Sequence, residues 1–130
     1  MRYLKAAVAT AIAFLVIDLA WITLFLGDVY EAQLGNMMRE APDALAAGAF
    51  YLGYIAGIVY LAIRPALQAG RVGPALTNGA VLGALAYGTY TLTNYAIFKQ
   101  WSVTLVLSDI AWGTVLTASC AGVGYVAARK

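Results

Sequence analysis

Long apolar runs dominate the pattern of this 130-residue chain. Four of them, separated by short polar segments, are each long enough to cross a bilayer as a helix, which takes about 20 residues. Lipid cannot hydrogen bond to free backbone groups, and the runs lack the alternation of a membrane β-barrel. We therefore predict an all-α fold, an integral membrane four-helix bundle. Its spans cover about residues 4–26, 44–63, 74–98 and 103–127.

The composition agrees with a membrane protein. Hydrophobic residues make up 63% of the chain and charged residues 11%, against about 25% charged in a soluble domain. The mean hydropathy is +0.80. We expect one transmembrane domain over residues 1–130 and no separate soluble domain. The first apolar run exceeds the 7 to 15 residues of a secretory signal and lacks a small-residue cleavage motif, so we expect a retained helix.

The basic residues predict the orientation. Only Arg39 and Lys99 lie in the two connections on the side of the membrane opposite the termini. The other six are Arg2, Lys5, Arg64, Arg71, Arg129 and Lys130. By the positive-inside rule, both termini lie in the cytoplasm. The net charge of +2 then reflects membrane orientation, and no nucleic-acid partner is expected.

Two carboxylates lie inside the predicted spans. Asp18 and Asp109 each open an Asp-[Leu/Ile]-Ala-Trp stretch, and a charged group at the centre of a membrane helix costs about 2.5 to 3.5 kcal/mol. Counting helix rise, they lie about 12 Å and about 9 Å below the outer boundary. Trp21 and Trp112 follow their aspartates by three residues, which places each on the same helix face.

Other polar side chains are expected at this depth. The predicted ligand- or proton-binding residues are Asp18, Trp21, Tyr51, Tyr54, Tyr90, Thr91, Asn94, Asp109 and Trp112. Thr93 and Ser108 are expected in the same layer. Such a layer could bind a cation, carry a proton or hold a ligand hydroxyl. The alternative is architectural, since polar pairs also join membrane helices, each contributing about 0.6 kcal/mol.

The residue types disfavour several classes of enzyme. The chain has no histidine and a single cysteine, Cys120, which we expect to be a packing residue. No metal site, cofactor site, phosphate-binding glycine loop or Ser-His-Asp set is predicted. The sequence leans towards a non-enzymatic function. Acid and base catalysis by the aspartates is the less favoured alternative, because no nucleophile accompanies them.

Small and aromatic residues add expectations about packing. Gly53 with Gly57, and Gly79 with Gly83, form small-xxx-small pairs that let helices approach closely. Interfacial belt residues are predicted as well. They are Tyr3, Tyr30, Trp101 and Tyr125.

Two connections have interpretable sequences. Residues 28–39 alternate apolar and polar side chains loosely, which predicts a short amphipathic helix on the outer surface. Residues 64–74 are expected to form a tight cytoplasmic loop, with Pro74 in the first turn of the third helix.

Several strings in the chain resemble a known family. They are Ile17-Asp18-Leu19-Ala20-Trp21, Tyr30 with Gln33-Leu34-Gly35, Thr89-Tyr90-Thr91-Leu92-Thr93-Asn94, and Asp109-Ile110-Ala111-Trp112-Gly113-Thr114-Val115-Leu116. Over essentially its whole length the chain is similar to the bacterial membrane proteins of domain of unknown function 2177. The family's third-helix motif carries an acid where this chain has Thr91. The resemblance implies a multi-pass protein of the bacterial cytoplasmic (inner) membrane, with family genes near lipid-modifying and stress-response genes, and it implies no established activity.

The sequence leaves two classes of function open. The favoured one is a module that binds or moves a small hydrophobic or lipid-derived molecule at the Asp18 and Asp109 layer, with proton coupling as an option. Transport by four helices would suggest a homo-oligomer. The alternative is a non-catalytic accessory subunit of a larger membrane complex, in which the aspartates serve helix packing. Membrane lipids are expected partners in both cases.

Overall fold

Helices account for nearly all of the described chain. The computed structural model describes residues 2–21, 23–24 and 43–129, and no strand occurs among them. Its four helices are α1 (Arg2–Trp21), α2 (Ala44–Ala69), α3 (Gly73–Ile97) and α4 (Val103–Ala128). The all-α prediction is confirmed. The predicted amphipathic helix over 28–39, together with Tyr30, lies outside the described residues.

Three of the helices, α1, α2 and α4, are long and apolar enough to cross a membrane. Helix α3 has 25 residues, about 37 Å at the rise of an α-helix, so its length also suffices. Its many glycine, threonine, tyrosine and asparagine residues make it the least apolar of the four long helices. Membrane crossing by α3 therefore stays a prediction.

Helix α1 packs through one narrow stripe. Its buried residues are Ala6, Thr10, Phe14 and Asp18, spaced four apart along the helix. Large apolar side chains on its other faces, such as Ile12 and Val16, are exposed. In a membrane protein such a surface faces lipid, which is as apolar as the side chains themselves. The last buried residue of this stripe, towards the C-terminal end of α1, is therefore the carboxylate Asp18.

Helices α3 and α4 approach each other through glycines. A Cβ atom added to Gly83 would overlap the backbone carbonyl of Gly113, and one added to Gly79 would lie 3.0 Å from the carbonyl oxygen of Thr117. The expected packing role of Gly79 and Gly83 agrees with these contacts. At Gly53 and Gly57 an added Cβ would meet nothing within 4 Å. The expectation that Gly53 and Gly57 pack closely against another helix was wrong for the described part of the chain.

Helix α2 extends beyond its predicted end. We predicted a span over 44–63 and then a loop, yet the helix continues to Ala69 through a π-helical turn at Val59–Ile63. Pro65 explains the turn, because a proline ring clashes with the carbonyl four residues earlier and provides no N–H. The Arg64 N–H instead bonds to the Val59 carbonyl, five residues back.

The chain turns sharply after α2. Gly70 adopts the left-handed conformation, with φ of 73°, and its N–H bonds to the Ala66 carbonyl at 2.9 Å. Glycine suits this position because it has no Cβ to clash there. Helix α3 then starts at Gly73 with Pro74 in its first turn, as predicted. The loop expected over 64–74 is thus reduced to a few residues.

Candidate functional site

The carboxylate of Asp18 is held by two other helices. Tyr51 Oη of α2 donates a hydrogen bond to Asp18 Oδ2 at 2.9 Å, and Trp112 Nε1 of α4 donates to Asp18 Oδ1 at 3.3 Å. The side chain is buried, with 7% of its surface exposed. Both oxygens therefore have partners, which offsets much of the cost of placing a carboxyl inside the bundle.

Two tryptophans form a stack beside this carboxylate. The rings of Trp21 and Trp112 are 4.4 Å apart between centroids and lie within 10° of parallel. Each tryptophan follows its aspartate by three residues, and α1 and α4 run in opposite directions. The Trp112 side chain reaches Asp18. Asp109 precedes Trp112 by three residues on α4, so its backbone lies about 4.5 Å from that of Trp112 along the helix axis, towards the N-terminus of α4. The two carboxylates are thus within about one helical turn in depth.

Asp109 has a different environment. It is 4% exposed, and its Oδ2 has no hydrogen-bond partner within the described part of the chain. The Thr91 hydroxyl of α3 lies close to this carboxyl. Thr91 Oγ1 in turn accepts a hydrogen bond from Trp101 Nε1 at 3.0 Å. A buried carboxyl oxygen without a partner is costly, and among the described residues Asp109 Oδ2 is such an oxygen, whereas each Asp18 oxygen has a donor.

Tyr87 of α3 lies in the neighbourhood of both carboxylates, Asp18 and Asp109. Its position depends on Gly113, because a Cβ atom added there would lie 2.6 Å from the Cβ of Tyr87. Tyr87 is not among the site residues predicted from the sequence. The glycine opposite it, four residues after Asp109, is the signal that could have identified it.

A cavity opens beside Tyr87. It lies between α2 and α3, has a volume of about 330 Å³ and is lined by Phe50, Ala86, Tyr87 and Tyr90. This volume is at the lower end of the range for small-molecule sites, about 300 to 1,000 Å³. Its walls are almost entirely aromatic and aliphatic. The cavity therefore suits a small hydrophobic molecule, and Tyr87 forms part of its wall.

The other predicted site residues are placed less centrally. Tyr54 bonds to Thr117 Oγ1 at 2.7 Å and not to either aspartate. Tyr90 lines the cavity and meets Trp101 edge to face at 5.6 Å. Asn94 is partly buried one turn beyond Thr91 on α3. Of the two further residues expected in the layer, the Ser108 hydroxyl bonds back to the Thr104 carbonyl of its own helix and Thr93 is exposed.

Two aromatic residues differ from the predicted interfacial belt. Trp101 is 6% exposed and forms a small cluster with Leu105 and Val106, while Tyr125 is 5% exposed and belongs to the main core. Trp101 turns inward because its N–H finds the Thr91 hydroxyl. Cys120 is a buried free thiol within the core. Among the described residues, no three His, Cys, Asp or Glu side chains are grouped to hold a metal.

The helices and their buried polar layer define a helical membrane protein. The chain belongs to the family of predicted membrane proteins of domain of unknown function 2177, whose model matches residues 3–126. The resemblance seen in the sequence is thereby confirmed over nearly the whole chain. Comparisons with curated proteins and with solved structures give no match.

Proposed function

We propose that this protein binds a small hydrophobic or lipid-derived molecule in the outer half of the membrane, with Asp109 as the polar anchor. The observation that carries the proposal is the buried Asp109 Oδ2 without a partner in the described chain. A ligand hydroxyl or amine would supply the missing hydrogen bond. The aromatic cavity beside Tyr87 supplies an apolar compartment of suitable volume.

The two aspartates have separate roles in this proposal. Asp18 is architectural, because Tyr51 and Trp112 already occupy both of its oxygens. Asp109 binds the ligand or carries a proton, and Tyr87 couples the cavity to it. Proton coupling and movement of the ligand across the membrane are extensions of the same site. They require a carboxyl oxygen that is available to a new partner, and among the described residues Asp109 Oδ2 is the better candidate because both Asp18 oxygens already accept hydrogen bonds.

The test compares conservative variants of the two carboxylates. Wild type, Asp109→Asn and Asp18→Asn are purified in the same detergent, and the small molecules that co-purify are quantified by mass spectrometry. We expect a compound that is enriched with the wild type and lost from Asp109→Asn, while Asp109→Asn keeps a normal helical circular dichroism spectrum. The main effect expected of Asp18→Asn is a lower thermal stability, because Asp18 is architectural in this proposal. Identical extracts from wild type and Asp109→Asn would contradict the proposal.

A second candidate is a non-catalytic accessory subunit of a larger membrane complex. The observation that favours it is the fully bonded Asp18 carboxylate, which joins α1, α2 and α4 as an architectural element. In that case cross-linking in the native membrane should capture a defined protein partner in constant stoichiometry. The Asp18→Asn variant should then lose this partner or fail to accumulate, with no change in the small molecules that co-purify.

A further inference from the structure

A second groove lies between α1 and α2, and its outer end is lined by Tyr51, the hydrogen-bond donor to Asp18. Its apolar part has a volume of about 480 Å³ and includes Ala11, Phe14, Gly48 and Ile55. Small side chains on both helices leave this space open, because α1 packs against the bundle through its single stripe. Ala7 and Ala56 line this part and also the adjoining cavity towards the basic end. The two cavities therefore form one continuous groove.

The adjoining cavity is polar at its mouth. It has a volume of about 550 Å³, and Tyr3, Tyr60, Arg64 and Gln68 lie around it. The guanidinium carbon of Arg64 lies 5.2 Å from the centre of the Tyr60 ring. Stacking of this kind orients an arginine while leaving its N–H donors available.

Arg64 lacks an acidic neighbour in the described part of the chain. The carboxylates described are those of Asp18, Asp43 and Asp109, and all three lie in the opposite half of the bundle. Arg64 is thus a cation at the end of an apolar groove, at the basic end that we predict to face the cytoplasm. Basic pockets between membrane helices on that side bind anionic lipid headgroups.

The groove has a length that fits one lipid chain. From Tyr3 to Leu15 on α1 it covers thirteen residues, which is about 18 Å by helix rise. One leaflet contributes about half of a hydrocarbon core of about 30 Å. We propose that an anionic phospholipid occupies this groove, its phosphate on Arg64 and Gln68 and one acyl chain along Ala7, Ala11 and Ala56. This site is separate from the Asp109 site and does not depend on it.

Native mass spectrometry of the full chain tests the proposal. The protein is equilibrated in micelles containing equal amounts of phosphatidylglycerol and phosphatidylcholine with the same acyl chains, and the ratio of the two bound lipids is measured. We expect the wild type to prefer phosphatidylglycerol. Arg64→Gln should reduce that preference about fivefold, the effect of one basic residue near a lipid surface, and Arg64→Lys should keep most of it.

Two further variants separate this groove from general surface charge. Arg71→Gln removes a charge from the same end of the bundle outside the groove and should leave the lipid ratio unchanged. Ala56→Leu fills the groove and should lower retention of both lipids, with Ala11→Leu as the equivalent change on α1. An equal loss with Arg71→Gln and Arg64→Gln would overturn the site, as would unchanged retention in both filled variants. Asp109→Asn should keep the wild-type ratio, which separates this result from the proposed function.

Discussion

The indole N–H of Trp112 donates a hydrogen bond to the Asp18 carboxylate, with 3.3 Å between Nε1 and Oδ1. This bond joins the two Asp-[Leu/Ile]-Ala-Trp motifs at opposite ends of the chain. The helices that carry them are antiparallel neighbours, so the aspartate of one motif meets the tryptophan of the other. This bond and the Trp21–Trp112 stack both contribute to the pairing of α1 with α4.

Removal of that hydrogen bond should destabilise the protein. Trp112→Phe keeps an aromatic ring for stacking on Trp21 but leaves Asp18 Oδ1 without its donor. We expect a loss of about 1 to 3 kcal/mol, the range for a hydrogen bond to a charged or buried group. Unfolding in mixed micelles, followed by circular dichroism, measures it. The control is Tyr95→Phe, which alters an exposed ring, and equal stability of Trp112→Phe and wild type would contradict the prediction.

Gly113 should tolerate no side chain. In Gly113→Ala the new Cβ would lie 2.6 Å from the Cβ of Tyr87, so α3 and α4 would have to separate or Tyr87 would have to leave its place. Overpacking of this kind costs about 1 to 3 kcal/mol. Gly53→Ala is the matched control, because nothing lies within 4 Å of its new Cβ. Thermal unfolding midpoints should fall for Gly113→Ala and stay or rise for Gly53→Ala, and the reverse order would refute the packing.

Asn78 should matter only while Pro65 is present. Asn78 Nδ2 donates to the Leu61 carbonyl at 3.0 Å, the carbonyl that Pro65 deprives of its usual N–H partner. We expect Asn78→Ala to cost about 1 kcal/mol. In a Pro65→Ala background the backbone N–H returns, so the same change should cost much less. A double-mutant cycle measured by chemical unfolding tests this coupling, and simple additivity of the two changes would argue against it.

The orientation of the bundle has its own test. A reporter enzyme that is active only in the cytoplasm is fused after Lys130, and we expect it to be active. The reason is that six of the eight basic residues lie on the same predicted side of the membrane as the two termini. The same reporter inserted in the segment between α1 and α2 should be inactive. The opposite pattern would invert the assignment of outer and inner halves for both proposed sites.

The helical architecture could be predicted well from the sequence. Predicted spans of 74–98 and 103–127 compare with helices Gly73–Ile97 and Val103–Ala128. Such agreement is expected because a bilayer requires continuous apolar helices, and the residues that interrupt them are easy to recognise. The continuation of α2 past Pro65 was missed, since a proline usually ends a helix unless a π-turn accommodates it.

The hydrogen-bond partners within the polar layer could not be predicted from the sequence. The sequence by itself placed Asp18 and Asp109 within long apolar helices and predicted a similar depth for them, because depth follows from position along a helix of fixed rise. Only the tertiary structure decided that Tyr51 and Trp112 bond Asp18, that Trp101 turns inward to Thr91, and that one oxygen of Asp109 has no partner among the described residues. Those partners depend on the rotation of each helix and on the glycine contacts between α3 and α4. An apolar sequence does not fix helix rotation when lipid and core are equally apolar.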